Sequence, residues 1–219
     1  MFDNLFTIDR LITMLYSIPA LLIALSFHEF AHAYVSHKLG DDTAKNMGRL
    51  TLNPFAHLDI MGTIFLLVFR FGWAKPVGVN MYAFKDRKKG MLLTAFAGPI
   101  TNFLLALITA FILALYMKLT AGSTSQIVDI FFYMLYYLLM YNVILCVFNF
   151  IPLPPLDGSK MLAAFLPDRL EAKFYQYQMQ LSVILIFLMI FGVIGRFISV
   201  VGPGLAKILL NAAFAVFGG

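Results

Sequence analysis

The sequence predicts an all-α integral membrane protein: a bundle of about five transmembrane helices with a small membrane-associated β element. Three observations predict it. Of 219 residues, 61% are hydrophobic and only 12% charged, where a soluble domain carries roughly a quarter as Asp, Glu, Lys and Arg. So few polar side chains cannot cover a water-facing surface. The apolar residues also gather in runs of about 20, the length that crosses a bilayer. One stretch between the first two runs breaks that habit, with Gly, Pro and alternating apolar positions.

The elements follow in order. Met1 to Arg10 holds two acids and no basic stretch ahead of the apolar run, so no cleavable signal peptide is expected. Leu11 to Phe27 is uncharged, and the apolar pattern resumes past Glu29 to Val35, giving a first span with a polar interruption near its end. Asn46 to Ala83 reads as strand, with Val77, Val79 and Met81 alternating around Gly78 and Asn80. Within it Ile60 to Phe71 is too short to span and reads as strand or a re-entrant segment, with Phe69, Phe71 and Trp73 as packing residues. Met91 to Tyr116 is the second span, Ile130 to Ile151 the third, and Phe174 to Gly195 the fourth. Phe197 to Gly219, interrupted by Gly202-Pro203-Gly204 and Lys207, is a weaker fifth that could lie in the interface or fold back. The whole chain, 1–219, reads as a single polytopic domain with a core of about 11–160 and accessory helices over about 174–219.

Charge sets the orientation. The net charge is +5, but the basic residues are not spread over a soluble fold, so nucleic acid is not an expected partner. Nine of them, Lys38, Lys45, Arg49, Arg70, Lys75, Lys85, Arg87, Lys88 and Lys89, fall between the first two spans. Lys160, Arg169 and Lys173 follow the third. By the positive-inside rule these segments face the cytoplasm and the N-terminus faces outward, in a multi-pass protein of the cell membrane. The end of the first span and the region after the third then share a side. The lone Cys146 permits no intrachain disulfide and reads as a small buried hydrophobe.

The sharpest chemical signal is His28-Glu29-Phe30-Ala31-His32. Residues four apart on a helix lie about one turn, roughly 5.4 Å, apart on one face. Two imidazoles in that register can grip one tetrahedral zinc, and the Glu between them can act as general base toward a water there. A carboxylate inside a span costs on the order of 2.5 kcal/mol or more and by default marks function. A catalytic zinc site needs a third protein ligand. His37, nine residues after His28, points to another part of the helix surface and reads as a solvated interfacial side chain. His57 reads as a loop histidine bonded to backbone, with a metal role as the alternative. Asp157, in Asn149-Phe150-Ile151-Pro152-Leu153-Pro154-Pro155-Leu156-Asp157-Gly158, reads alone as an ordinary turn acid. Its topology favours more, since it emerges on the same side as the histidine pair in backbone that the prolines unwind.

Together these motifs resemble the site-2 proteases, zinc-dependent intramembrane metalloproteases, in their short prokaryotic form without a PDZ or appended regulatory domain. The matching residues are His28 to His32, Ala97-Gly98-Pro99 with Asn102, and Asn149 to Gly158. Gly48 to Pro54, with His57 and Asp59, matches the short subgroup, and the resemblance covers roughly residues 20 to 160. It implies one Zn2+ per chain on His28, His32 and Asp157, Glu29 as the catalytic base, and a membrane-spanning protein substrate cut near the cytoplasmic side. Access would be controlled from within the bundle or by a regulatory partner. Asn149 and Asn102, amides in apolar spans, could donate to a developing oxyanion or to substrate backbone, or could instead hold the bundle together. An edge strand in the Asn46 to Ala83 region could pair with an unwound substrate. A metal transporter or sensor would want further ionisable residues in the other spans, which are nearly lacking. An inactive helix-binding relative is disfavoured by the intact Glu29.

Overall fold

A computed structural model describes residues 8–59, 61, 62, 75 and 77–217, with side chains from residue 12 onward. The described residues are almost entirely helical: α1 (Ile8–Lys38), α2 (Thr43–Asn46), α3 (Pro54–His57), α4 (Arg87–Leu119), α5 (Gln126–Asn149), α6 (Asp157–Phe165), α7 (Asp168–Gln176), α8 (Gln178–Ile190) and α9 (Val193–Phe217). Four are long and apolar enough to cross a membrane: Ile12–Lys38 within α1, then α4, α5 and α9. Four such helices fit a multi-pass membrane protein.

The caps follow from sequence. Asp86 precedes α4 and accepts the Lys89 N–H at 3.0 Å, satisfying one of the free donors at that helix start. Asn53 caps α3 in the same way, with Pro54 at the first helical position, where a missing N–H costs nothing. The spans pack through small residues. Ala106 and Ala110 of α4 and Ala206 of α9 meet Leu139, Val143 and Val147 of α5, with Leu113 and Leu209 closing the cluster. In lipid no hydrophobic force drives helices together, so alanines that admit close backbone approach do that work through dispersion. Large residues on the other faces, such as Ile100, Leu104, Ile108 and Ile112 of α4, stay exposed, as lipid contact requires.

Two of the expected spans differ. The run from Phe174 to Gly195 is not one span. It breaks at Tyr177 between α7 and α8 and stops at Gly192, whose φ of +73° suits only a residue without a side chain. The 13 residues of α8 reach about 20 Å at 1.5 Å per residue, short of the roughly 30 Å hydrocarbon core. The weaker fifth run is instead a continuous 25-residue helix, α9, which carries Pro203 in its interior. The count is therefore four candidate spans among the described residues. The expected β element is not seen in what is described. Ile60 and residues 63–74, which include Phe69, Phe71 and Trp73, lie outside the described residues. Met81–Ala83 form a 3-10 turn. Asn80 is extended, and Leu58 makes a single bridge beside the Lys75 N–H to His57 carbonyl bond of 2.8 Å.

The start of α4 and the α6–α7 segment are tied by charge. Arg87 at the start of α4 meets Glu171 of α7 at 2.7 Å, and Lys88 meets Asp168 at 2.8 Å while donating to the Leu166 carbonyl at 2.7 Å. The Lys88 ammonium draws the exposed Asp168 carboxyl below its ordinary range. Glu171 itself is buried, so this cluster pins the α6–α7 segment onto the second span.

Candidate metal centre

The centre is assembled by three elements. The last third of α1 presents His28 and His32 one turn apart, α4 backs them, and α6 brings in Asp157. All three side chains are buried. Asp157 opens helix α6 rather than sitting in a turn, a correction to the reading of Asp-Gly as a turn pair. Pro152, Pro154 and Pro155 end α5, and a new helix begins directly, with its carboxylate in the first turn where the helix dipole favours an anion.

The three donor atoms form a tight triangle. His28 Nε2 lies 3.0 Å from His32 Nε2, and Asp157 Oδ2 lies 3.2 Å and 2.9 Å from the two nitrogens. The protons on the imidazoles are fixed from behind. His28 Nδ1 is 2.6 Å from Asn102 Oδ1, and His32 Nδ1 is 2.6 Å from the Thr94 carbonyl oxygen. Both partners are acceptors, so each Nδ1 donates and each neutral ring turns an Nε2 lone pair toward the other. The Asn102 orientation is set in turn, because its Nδ2 donates to the Ala24 carbonyl at 3.0 Å and to Asn142 Oδ1 at 2.8 Å. Asn142 Nδ2 then donates to the Leu138 carbonyl at 2.8 Å.

Three electron-pair donors thus converge in a buried space. A shared proton would satisfy one pair at most, whereas a single divalent cation satisfies all three. Donors bound at about 2.0–2.1 Å around a tetrahedral zinc stand roughly 3.3–3.4 Å apart, close to the edges of this triangle. The residues therefore fit a zinc ion. Among the described residues these are the one cluster of three or more His, Cys, Asp or Glu side chains close enough to share a metal.

Gly98 of α4 makes room for it. A Cβ there would lie 2.4 Å from His32 Nε2, and 2.5 Å and 2.7 Å from Cε1 and Nε2 of His28. Only a glycine lets the α4 backbone lie against both rings.

A cavity of about 130 Å³ opens on the triangle. Glu29, half-buried, lines it with Val77, Val79, Thr94, Asn149 and Lys160. Asn149 reaches this cavity and has one amide N–H on the Leu145 carbonyl at 3.0 Å. Asn102 does not line it; it is fully buried and its amide is engaged behind His28. His57 is also fully buried, and its Nε2 donates to the Thr51 carbonyl at 2.8 Å, apart from the triangle. His37 pairs with Asp42 at 2.5 Å on the exposed side. Asp59 is not part of the cluster.

Two contributors escape sequence reasoning. Thr94 acts through its backbone carbonyl, a group every residue carries, and nothing marks it in advance. Asn142 did leave a signal, a third amide inside an apolar span, facing the position of Asn102.

Known proteins resemble the chain over most of its length. It is 44% identical over 167 residues to "Putative zinc metalloprotease YwhC" of Bacillus subtilis, covering 74% of each chain. It is 35% identical over 140 residues to "Putative zinc metalloprotease MJ0611" of Methanocaldococcus jannaschii, covering 62% of this chain and 63% of that one. "Putative zinc metalloprotease Rip2" of Mycolicibacterium smegmatis is 29% identical over 143 residues, or 63% of this chain and 52% of that one. No solved structure matches the chain. Residues 117–191 match peptidase family M50, a segment that holds Asp157 and Lys160 but not the histidine pair. With the buried His-His-Asp cluster in the bundle, these relationships place the chain in peptidase family M50, the site-2 protease family of zinc metalloproteases.

Proposed function

We propose that this protein is an intramembrane endopeptidase that hydrolyses membrane-spanning segments of other proteins near the cytoplasmic face, with one zinc per chain held by His28, His32 and Asp157. The observation that carries the reading is the triangle of His28, His32 and Asp157 donor atoms, buried beside a cavity that also holds Glu29. Zinc, when bound, supplies Lewis acidity that acidifies a water and polarises a carbonyl. Glu29 takes the proton from the attacking water as its oxygen joins the scissile carbonyl carbon, then delivers that proton to the leaving amine as the C–N bond breaks. Asn102 and the Thr94 carbonyl hold the two rings in the tautomer that leaves each Nε2 lone pair free. Asn149 contacts the substrate backbone or the developing oxyanion through an amide N–H.

Sidedness is supported by the basic residues between the first two spans and after the third, which favour the cytoplasmic side for Asp157 and the end of α1. A substrate helix has its amides bonded internally, so it must unwind to be cut. Val77 and Val79 border the cavity, which favours pairing of the unwound strand along that segment. The test is cleavage of a fluorescent spanning peptide in vesicles by purified protein. Cleavage abolished by chelator and restored by zinc, and absent in Glu29→Gln with zinc still bound, supports the proposal. Full cleavage by Glu29→Gln removes the assigned base.

A further inference from the structure

Asp157 divides its two oxygens between different partners. Oδ2 faces His28 and His32 at 3.2 Å and 2.9 Å, while Oδ1 accepts from Lys160 Nζ at 3.1 Å. Lys160 stands one turn along α6 and lines the same cavity. Exposed ion pairs at this spacing contribute little, about 0–1 kcal/mol, and have no fixed geometry. This one differs because the Asp157 side chain is 7% exposed against 40% for Lys160. One end of the pair is buried in the centre, and the other reaches it from the cavity wall.

We propose that Lys160 is a positioning residue that makes Asp157 a one-oxygen ligand, an inference that rests on the zinc reading above. A carboxylate has about four lone-pair sites and can offer a metal either one oxygen or both. With Oδ1 held by an ammonium, only Oδ2 is free to turn inward. Three donors then leave a position open for reacting molecules, as a catalytic site requires. Without Lys160, Oδ1 is a buried, unpartnered anionic oxygen, and the nearest compensating charge is the metal. Asp157 rotates to offer both oxygens and closes the open position. Arg at this place would keep both the charge and the donor, so it should keep the geometry.

Cobalt(II) in place of zinc reads this directly, because its visible absorption separates four-coordinate from five-coordinate sites independently of turnover. In purified protein, Lys160→Met should weaken the cobalt band toward the five-coordinate pattern and change metal affinity about 10-fold, as other supports of metal ligands do. Lys160→Arg should restore both. Lys160→Gln is read the same way if Lys160→Met is not recovered folded. A wild-type chain that takes up no cobalt overturns the zinc reading and this inference with it. A wild-type chain that binds cobalt, beside a folded Lys160→Met or Lys160→Gln variant with unchanged band and affinity, overturns the role of Lys160 alone.

Discussion

Replacing Gly98 with Ala should damage the metal centre while leaving the helix intact. On an exposed helix the same change would stabilise by up to about 1 kcal/mol, since glycine is the poorer helix former. Here the added methyl would lie 2.4 Å from His32 Nε2 and 2.5 Å from His28 Cε1. Ordinary contact begins near 3.4 Å, so α1 and α4 must separate by about 1 Å or both rings must turn. Either motion strains the 2.6 Å bonds from the rings to Asn102 and to the Thr94 carbonyl, because both acceptors belong to the same helix as Gly98. Disturbing such supports lowers metal affinity about 10- to 100-fold, or roughly 1.4–2.8 kcal/mol. Zinc competition against a chelator of known strength measures this, with circular dichroism confirming that helix content is kept. A folded Gly98→Ala variant with wild-type affinity would refute the packing argument.

Asp157→Ala should lower both zinc content and activity, whereas His57→Ala and Asp59→Ala should leave zinc stoichiometry unchanged; metal analysis of the purified variants checks this. A reporter fused near Lys88 should register as cytoplasmic and one near Ser123 as external, and the opposite pattern would move the centre to the other face. Glu171→Ala should leave Arg87 and Lys88 without their buried partner and loosen α7 from the start of α4. Limited proteolysis should then cut between α6 and α8 sooner than in the parent protein.

The parts of this molecule legible in its sequence are those set by local geometry or by solvent. His28 and His32 share a helix face through their spacing alone, and lipid exposure writes itself into long apolar runs. Asp157 lies 129 residues from His28, so its approach depends on how three helices pack, and topology could only put it on the same side of the membrane as the histidine pair. Asn102 was visible as a polar group in an apolar span. Its contact with His28 rather than the cavity depends on the rotation of α4, which an almost uniformly apolar helix does not reveal. The expected fourth span was divided by backbone conformation at Tyr177 and Gly192, while Gly202-Pro203-Gly204 was carried within a helix.

The central claim is that His28, His32 and Asp157 hold one zinc ion. Anomalous diffraction at the zinc absorption edge, on crystals of the purified protein, tests it most directly. The account predicts one strong peak per chain, with Nε2 of both histidines and Asp157 Oδ2 each about 2.0–2.2 Å away. A peak completed by His57 or Asp59, with Asp157 turned to solvent, or no peak at this triangle in zinc-saturated crystals, would contradict it.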